Sequence, residues 1–485
     1  MKNIGKILEG LKFELVRGSM DVNIHNIQTD SRKVEKNDCF VAIKGFTTDG
    51  HDYISKAIEQ GCSVVIVSKP MIVDDSVVVI AVEDTSEVLG NLVSNFYDHP
   101  SKKLNVCGIT GTNGKTTCTF LLYDLFSKLG VKCGLISTIE IRIGEHIIPT
   151  SLTTPDALTL QRLMHQMVEE ECQVVFMEVS SHAIHQHRIA GIDFKVGAFT
   201  NITHDHLDYH KDFKEYIQVK KKFFDNLNAE SIAITNIDDR NGKIMIQNTK
   251  AHVKTYALKK IADYKGKLID QSLEGLHLIV NDLEAYYKLC GEYNAYNILT
   301  VLAITKALGV KVTDSIPILT NLNSAEGRLE KVTSVNNKKT AFVDYAHTSD
   351  ALKNVISTLQ KMRKPGQKII TVIGCGGDRD RTKRPKMANT TALLSDIAIF
   401  TSDNPRTENP GQILKDMEVG VKESLKDKVL YVVDRKQAIK TAIMMASELD
   451  IILVAGKGHE KYMDVNGVKI PFDDKEIIKD IMNVY

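Results

Sequence analysis

LNVCGITGTNGKTTCT, residues 104–119, decides how the rest of the chain is read. An apolar run over 104–109 gives way to a loop carrying Gly111 and Gly114. Lys115, Thr116 and Thr117 then open a segment whose apolar residues, Phe120, Leu121, Leu122, Leu125 and Phe126, recur at helical spacing. The order is strand, glycine loop, helix. Glycines let successive backbone N–H groups converge on one point, and the helix N-terminus adds positive potential there. Lys115 can reach the terminal phosphates of a nucleotide, and a threonine hydroxyl suits Mg²⁺. Gly111, Thr112, Asn113, Gly114, Lys115, Thr116 and Thr117 are therefore the candidate loop for ATP. The pattern G-x-x-x-x-G-K-S/T is matched imperfectly: its first glycine would fall at Ile109, and Gly108 comes one place too early. The plain alternative is a strand-to-helix turn that binds nothing.

A chain of 485 residues is long for one core, and its length predicts about three domains. With 62 basic and 61 acidic residues the net charge is +1, so no bulk field favours nucleic acid or an anionic membrane. The eight cysteines are scattered without a C-x-x-C pair, mostly inside apolar runs, which predicts buried free thiols in a reducing compartment. The N-terminal residues lack a signal-peptide core, and no stretch approaches the roughly 18 apolar residues of a membrane span. The expectation is a soluble, cytoplasmic protein, monomeric, with small-molecule partners, no nucleic acid and no membrane insertion.

Around the loop, the chain reads as α/β. Residues 1–98 hold short apolar runs at 39–43, 62–67 and 77–82 and a helical segment at 53–60, a small unit. Its polar loops at 29–32 and 45–51 suit a ligand or a plain connector equally. Residues 99–103 read as a linker. From 99 to 330, strand-like runs at 131–137, 174–179, 196–201 and 231–236 alternate with helical ones, which argues a largely parallel sheet with helices on both faces. Residues 331–485 repeat the rhythm at 368–373, 396–401, 429–433 and 451–455. In such sheets ligands bind beyond the carboxyl ends of strands. Chemistry-capable residues gather there: 178–182, 201–210, 236–239, 374–379, 403–406 and 456–460. The run G-C-G-G-D at 374–378 lacks the later glycine of a dinucleotide loop, so that ligand is not expected. Each acid or histidine has a bland reading as a cap or surface group. Their joint placement near a phosphate loop favours Mg²⁺ and ATP, which call for hard oxygen ligands.

Taken in order, the loop at 111–117, E-V-S-S-H at 178–182, H-L-D-Y-H at 206–210, N-I-D-D at 236–239 and D-Y-A-H at 344–347 resemble the Mur ligase family, over nearly the whole length. The resemblance implies three domains: a small N-terminal α/β domain (1–98) for a UDP-sugar, a central P-loop ATPase-like parallel sheet (99–330), and a C-terminal Rossmann-like α/β domain (331–485) for an amino acid. It implies an ATP-dependent amide ligase that adds the third amino acid to UDP-MurNAc-L-Ala-D-Glu through an acyl phosphate. A carboxylate is a poor electrophile, and phosphorylation supplies its leaving group. By position, Lys115 and Thr116 hold phosphates and Mg²⁺, and Glu178 and His206 resemble metal ligands. Lys220 matches a lysine that family members carbamylate, which turns an ammonium into a carboxylate-like ligand. A solvated basic helix face is the plain reading of Lys220 with its neighbours Lys221 and Lys222. Asn294, Asn297, Arg328, Asp344 and His347 resemble further ATP contacts. Ser31 resembles the uridine contact, and Thr153, Thr154, Ser181, Gln186 and Arg188 those of the muramoyl peptide and diphosphate. Ser349 stands where relatives often have proline, which changes loop stiffness rather than chemistry.

The turn Asp403, Asn404, Pro405, Arg406 bears on which amino acid is added. In the resemblance, arginine at its fourth place goes with meso-diaminopimelate and a non-basic residue with L-lysine. The distal end of diaminopimelate carries a carboxylate and an ammonium, and Arg379, Arg406 and Glu460, with Gly456, would meet both. Lysine would set its ammonium near Arg406 and bring no carboxylate for that arginine to bind. The plain alternative for Arg406 is an ion pair with Glu408. A lysine-adding ligase, a folylpolyglutamate synthase-like ligase and a non-catalytic nucleotide-binding regulator remain the competing readings.

Overall fold

Val106, Cys107 and Ile109 are buried on both faces of the strand Asn105–Thr110, which is why that run is continuously apolar rather than alternating. It lies in a computed structural model that describes residues 1–45, 48–70, 76–203, 205, 209–333 and 339–484. The chain divides into two compact units, Met1–Lys265 with Ile298–Ser315, and Gly266–Asn297 with Ile316–Tyr485.

In the first unit, five N-terminal strands form a sheet in the order Glu14–Arg17, Val78–Ala81, Val64–Val67, Cys39–Val41, Ile27–Gln28; the first pairs antiparallel and the rest are parallel. Helix Ile54–Glu59 covers one face and helix Thr85–Phe96 the other. The stretch read as a linker contains the turn Pro100–Lys103, whose Pro100 and Ser101 are buried, and Ser101 Oγ accepts the Asp193 N–H at 3.0 Å. It is packed rather than free. Positions 46 and 47 of the loop read at 45–51 lie outside the described residues.

The central sheet runs in the order Cys133–Ile136, Val174–Glu178, Asn105–Thr110, Phe194–Phe199, Ile232–Asn236, His252–Ala257, all parallel. Asn105–Thr110 is earliest in the chain yet sits between two later strands. Its carboxyl end is thus a switch point, where connections leave in opposite directions and open a crevice. The helix Lys115–Lys128 starts from that crevice. An antiparallel hairpin, Glu140–Ile143 with His146–Pro149, extends the Cys133–Ile136 edge and was not anticipated.

The second unit holds all but the first two residues of a meander, Tyr264–Ser272, Gly275–Val280, Leu283–Tyr287, also not anticipated, and a six-stranded sheet. The sheet order is Glu330–Val332, Thr340–Asp344, Ile451–Ala455, Ile369–Cys375, Ile397–Ser402, Val429–Tyr431, parallel except for the first strand. Apolar clusters cover both faces, so its strands read as unbroken apolar runs. No helix among the described residues is long and apolar enough to cross a membrane. All eight cysteines are free and buried.

Candidate active site

The glycine that shapes the loop is Gly111. Its φ is +150°, and a Cβ there would lie 1.9 Å from Thr200 Oγ1, so no side chain fits. Gly108 serves packing instead: a Cβ would meet the Phe194 and Phe223 rings at 2.7 and 2.8 Å. This explains the shifted pattern, since the first glycine of the usual spacing is replaced by one demanded inside the turn. Gly114 at φ +91° starts the helix. The loop is braced from the next strand end: Asn113 N–H donates to Asn201 Oδ1 at 3.0 Å, and Thr200 Oγ1 donates to Asn113 O at 2.7 Å. Lys115 Nζ donates to Gly111 O and Thr112 O at 2.8 and 2.9 Å. Thr117 is buried in the first turn of the helix.

Glu178, at the end of its strand, is buried and neither a cap nor a surface acid. Its Oε1 accepts from Thr116 Oγ1 and from Thr138 N–H, both at 2.8 Å, and Thr138 Oγ1 donates to its Oε2 at 3.2 Å. Lys220 is also buried, which excludes the solvated-face reading for it. Its Nζ donates to Gly111 O at 3.1 Å, more distantly to Thr110 Oγ1 at 3.4 Å, and lies 4.8 Å from the Tyr216 ring centroid. Two lysine nitrogens thus converge on the Gly111 carbonyl. Burial first, and the Lys115 charge second, push the Lys220 ammonium well below its ordinary value, with Asp205 opposing. Lys221 pairs instead with Asp225 at 2.6 Å. His206 lies outside the described residues.

The residues expected for the muramoyl peptide converge beside Glu178. Thr154 Oγ1 donates to Glu178 O at 2.7 Å, Arg188 Nη1 donates to Thr154 O at 2.9 Å, and Arg188 Nε donates to Gln186 Oε1 at 2.9 Å. Thr138 Oγ1 donates to Thr153 Oγ1 at 3.1 Å, and Ser181 Oγ lies 3.0 Å from His210 Nε2. Ser31 is buried in the short turn Ser31–Lys33 of the N-terminal sheet, capped by Asp30.

In the second unit, Asp344 ends its strand with both oxygens committed to backbone: Oδ1 to Ala346 N–H and Oδ2 to Leu329 N–H, each at 2.7 Å. Burial raises its pKa, and the Arg328 charge opposes the rise. The Arg328 guanidinium lies 4.7 Å from the Tyr345 ring centroid, and His347 Nδ1 is 2.9 Å from Tyr345 O. Asn297 Nδ2 donates to Asn294 Oδ1 at 2.8 Å, and Asn294 Nδ2 to Cys290 O at 2.7 Å.

The turns after Cys375, Ser402 and Ala455 meet. Arg406 has φ +52°, a conformation unusual for a residue with a Cβ, and it is held by backbone bonds on both sides: Arg406 N–H to Asp464 O at 2.9 Å and Asn466 N–H to Arg406 O at 2.8 Å. Its Nη1 donates to Gly377 O at 2.7 Å. Glu408 pairs with Arg384, whose Nη2 and Nη1 donate to it at 2.7 and 2.9 Å; this contact holds the Glu408 carboxyl at about 2. The expected alternative, Arg406 with Glu408, is not formed. Asp403 faces inward, Oδ1 accepting the Asn404 N–H at 2.7 Å and Oδ2 lying 3.9 Å from Arg435. Gly456, at φ +108°, lets that carboxylate approach, since a Cβ would sit 2.8 Å from Asp403 Oδ2. Asn404 Nδ2 donates to Glu460 Oε2 at 2.7 Å. Pro405 O lies where a Cβ on Gly377 would approach it to 1.9 Å, and Arg379 is exposed on the facing turn.

Three family models match in succession: "Mur ligase family, catalytic domain" over residues 23–97, "Mur ligase middle domain" over 109–305, and "Mur ligase, glutamate ligase domain" over 327–458. A protein of Cytophaga hutchinsonii named UDP-N-acetylmuramoyl-L-alanyl-D-glutamate–2,6-diaminopimelate ligase is 50% identical over 470 residues, 96% of each chain. The chain belongs to the Mur ligase family. A solved structure titled with that same ligase name has a TM-score of 0.73 at 29% identity, covering 100% of this chain and 99% of that one. The folylpolyglutamate synthase of Mycobacterium tuberculosis, solved with ADP, covers 75% of this chain and 90% of its own, with a TM-score of 0.60 at 16% identity, and shares the fold.

Several residues of this Mur ligase site escaped the sequence reading. Thr138 links Glu178 to Thr153 from a loop with no motif of its own. Tyr216, whose hydroxyl lies 3.1 Å from Thr112 Oγ1, stands one helical turn before Lys220, and that i, i+4 spacing could have revealed it. Arg384 had no local signal. It is 1% exposed, ties Glu408, Asp416 (Nη1, 2.8 Å) and Gly376 O (Nη2, 3.2 Å) together, and so fixes both turns. Arg384→Met should destabilise the second unit by about 2 kcal/mol, because two part-buried carboxylates lose a charged donor. Thermal or denaturant unfolding monitored on this unit checks it, and an unchanged midpoint would contradict it.

Proposed function

We infer that this chain is an ATP-dependent amide ligase that joins meso-diaminopimelate to UDP-N-acetylmuramoyl-L-alanyl-D-glutamate. The observation that carries the choice of amino acid is the junction of Asn404 and Asp464. It ties a cation, Arg406, and an anion, Glu460, into neighbouring turns, and leaves Arg406 free of Glu408. A distal end bearing both a carboxylate and an ammonium matches that pair; a lone ammonium does not.

The chemistry runs in two displacements. The D-glutamate side-chain carboxylate takes the γ-phosphoryl group of ATP and ADP leaves. The diaminopimelate amine then attacks the acyl phosphate, a C–N bond forms, the amine gives up its proton, and phosphate departs. The loop at 111–117 supplies backbone N–H groups and the Lys115 charge to the phosphates. Thr116 Oγ1 and the Glu178 carboxylate, buried and 2.8 Å apart, are oxygen donors of the kind Mg²⁺ takes. When bound, the ion would offset negative charge between ATP and the acceptor carboxylate. Arg188, tied to Thr154 and Gln186, is read as the cation that meets the diphosphate. Asn294, Asn297, Arg328, Asp344 and His347 are read as further ATP contacts, with the domain limits 1–98, 99–330 and 331–485. Eight buried free thiols support a reducing, cytoplasmic setting.

The test is phosphate release from ATP with UDP-MurNAc-L-Ala-D-Glu and either meso-diaminopimelate or L-lysine. Turnover with diaminopimelate alone is expected. Turnover with lysine alone would overturn the amino-acid assignment, and silence with both would overturn the ligase reading. Arg406→Ala should raise the KM for diaminopimelate about 10- to 100-fold, the loss of a charge-assisted bond worth about 1.5–3 kcal/mol. An unchanged KM would remove Arg406 from the binding set.

A further inference from the structure

Glu460 carries one of the two charges that select the amino acid, and its aim is set from behind. Its Oε2 accepts from Asn404 Nδ2 at 2.7 Å and from Lys457 Nζ at 3.2 Å. Lys457 Nζ also donates to Asn404 Oδ1 at 3.1 Å, so lysine, amide and carboxylate close a ring. The Lys457 side chain is 0% exposed, whereas Glu460 keeps 20%. The face of Tyr462 lies 5.5 Å from the ammonium, and the Asp464 N–H donates to the same Asn404 Oδ1 at 2.9 Å. Fully buried lysines are rare because desolvating the ammonium costs several kcal/mol.

The ring has one sense only. Turning the Asn404 amide over would set its NH₂ against the Lys457 ammonium and the Asp464 N–H, and its oxygen against Glu460. Lys457 and the Asp464 N–H therefore fix the amide, and amide and ammonium together fix Oε2. Oε1 has no hydrogen-bond partner among the described residues, on a side chain that keeps part of its surface exposed.

Resting on the ligase reading above, we propose that Lys457 is a positioning residue for amino-acid selection, holding Glu460 so that its free oxygen meets the distal ammonium of diaminopimelate. It contacts no substrate itself. Its effect should be confined to ligands that carry that ammonium.

The probe is 2-aminopimelate, which keeps the distal carboxylate of diaminopimelate and lacks the distal amine. Steady-state kinetics with both amino acids are compared for the wild-type enzyme and Lys457→Met. Wild type should prefer diaminopimelate. Lys457→Met should lose about tenfold or more in kcat/KM for diaminopimelate, carried in KM, while 2-aminopimelate changes less than about threefold, so the preference collapses. A merely structural lysine would lower both substrates alike and leave their ratio unchanged, and that result overturns the proposal. Where Lys457→Met does not fold, Lys457→Gln, which keeps one donor and no charge, carries the same comparison. Absence of wild-type turnover with diaminopimelate would instead strike the ligase reading, and the proposal with it.

Discussion

Lys115→Ala is expected to lower ATP-dependent ligation about a thousandfold, in kcat, with the fold intact. Removing a single preorganised donor from a developing anion costs about 10²–10³ in rate, and Lys115 brings a full charge as well. Lys115 gives the loop two of its hydrogen bonds, to Gly111 O and Thr112 O, but the loop's path is set by other groups. Gly111 and Gly114 set its path, and Asn201 and Thr200 brace Asn113. The loss should therefore be chemical rather than structural. Phosphate release at saturating UDP-MurNAc-L-Ala-D-Glu and diaminopimelate measures it, with circular dichroism as the control for folding. A decrease of less than tenfold would undo the phosphate-loop assignment.

Lys220→Ala should be nearly as damaging, with a different signature. An ammonium here would face Lys115 across one carbonyl, in a buried place, and both effects favour the neutral amine. A neutral amine adds to CO₂, forming an N–C bond and releasing a proton, and the product is a carbamate anion. That anion would offset Lys115 where the ammonium repels it. The alanine variant is expected to lose about 10³ in kcat, to gain nothing from bicarbonate, and to recover in part with acetate or formate. Full activity without rescue would refute the carbamate. The sign of the pH dependence follows. As pH rises through the folded pKa of Lys220 the amine becomes available, so stimulation of the wild type by bicarbonate should grow with pH. In the unmodified chain the depressed lysine weakens the fold most fully below its folded pKa. That cost fades as pH rises toward the unfolded value.

The central strand, its loop and the helix that follows were legible because strand burial, glycine strain and helical spacing are all local. Which glycine mattered was not. Gly108 and Gly111 differ in backbone conformation and in what stands opposite, two rings or the Thr200 hydroxyl, and those partners come from the neighbouring strand Phe194–Phe199, the residue after it and a later helix, all far along the chain. The meander was readable in principle, since Leu276, Leu278 and Val280 alternate with half-exposed residues, but the strand–helix rhythm around it drew the reading elsewhere. Glu178, Arg188 and Arg406 were reached through motif resemblance. Arg384 and Lys457 act through partners tens of residues away, Glu408 and Asp416 for one and Asn404 for the other, and no local pattern announces that.

The turns bearing Arg379 and Arg406 are sewn to each other. Gly377 N–H meets Asn404 O at 2.9 Å, Arg406 meets Gly377 O at 2.7 Å, Thr407 Oγ1 meets Asp378 at 2.8 Å, and Arg384 grips Gly376 O and Glu408 together. Neither turn can be redesigned alone. Converting such a ligase to another amino acid by exchanging position 406 would pull a stitch from 374–379 as well, leaving a poor binder of both substrates. Heritable change of substrate in this architecture is therefore expected to pass through the two turns as a block, and recombination that keeps them together would reach a new specificity sooner than a series of point substitutions.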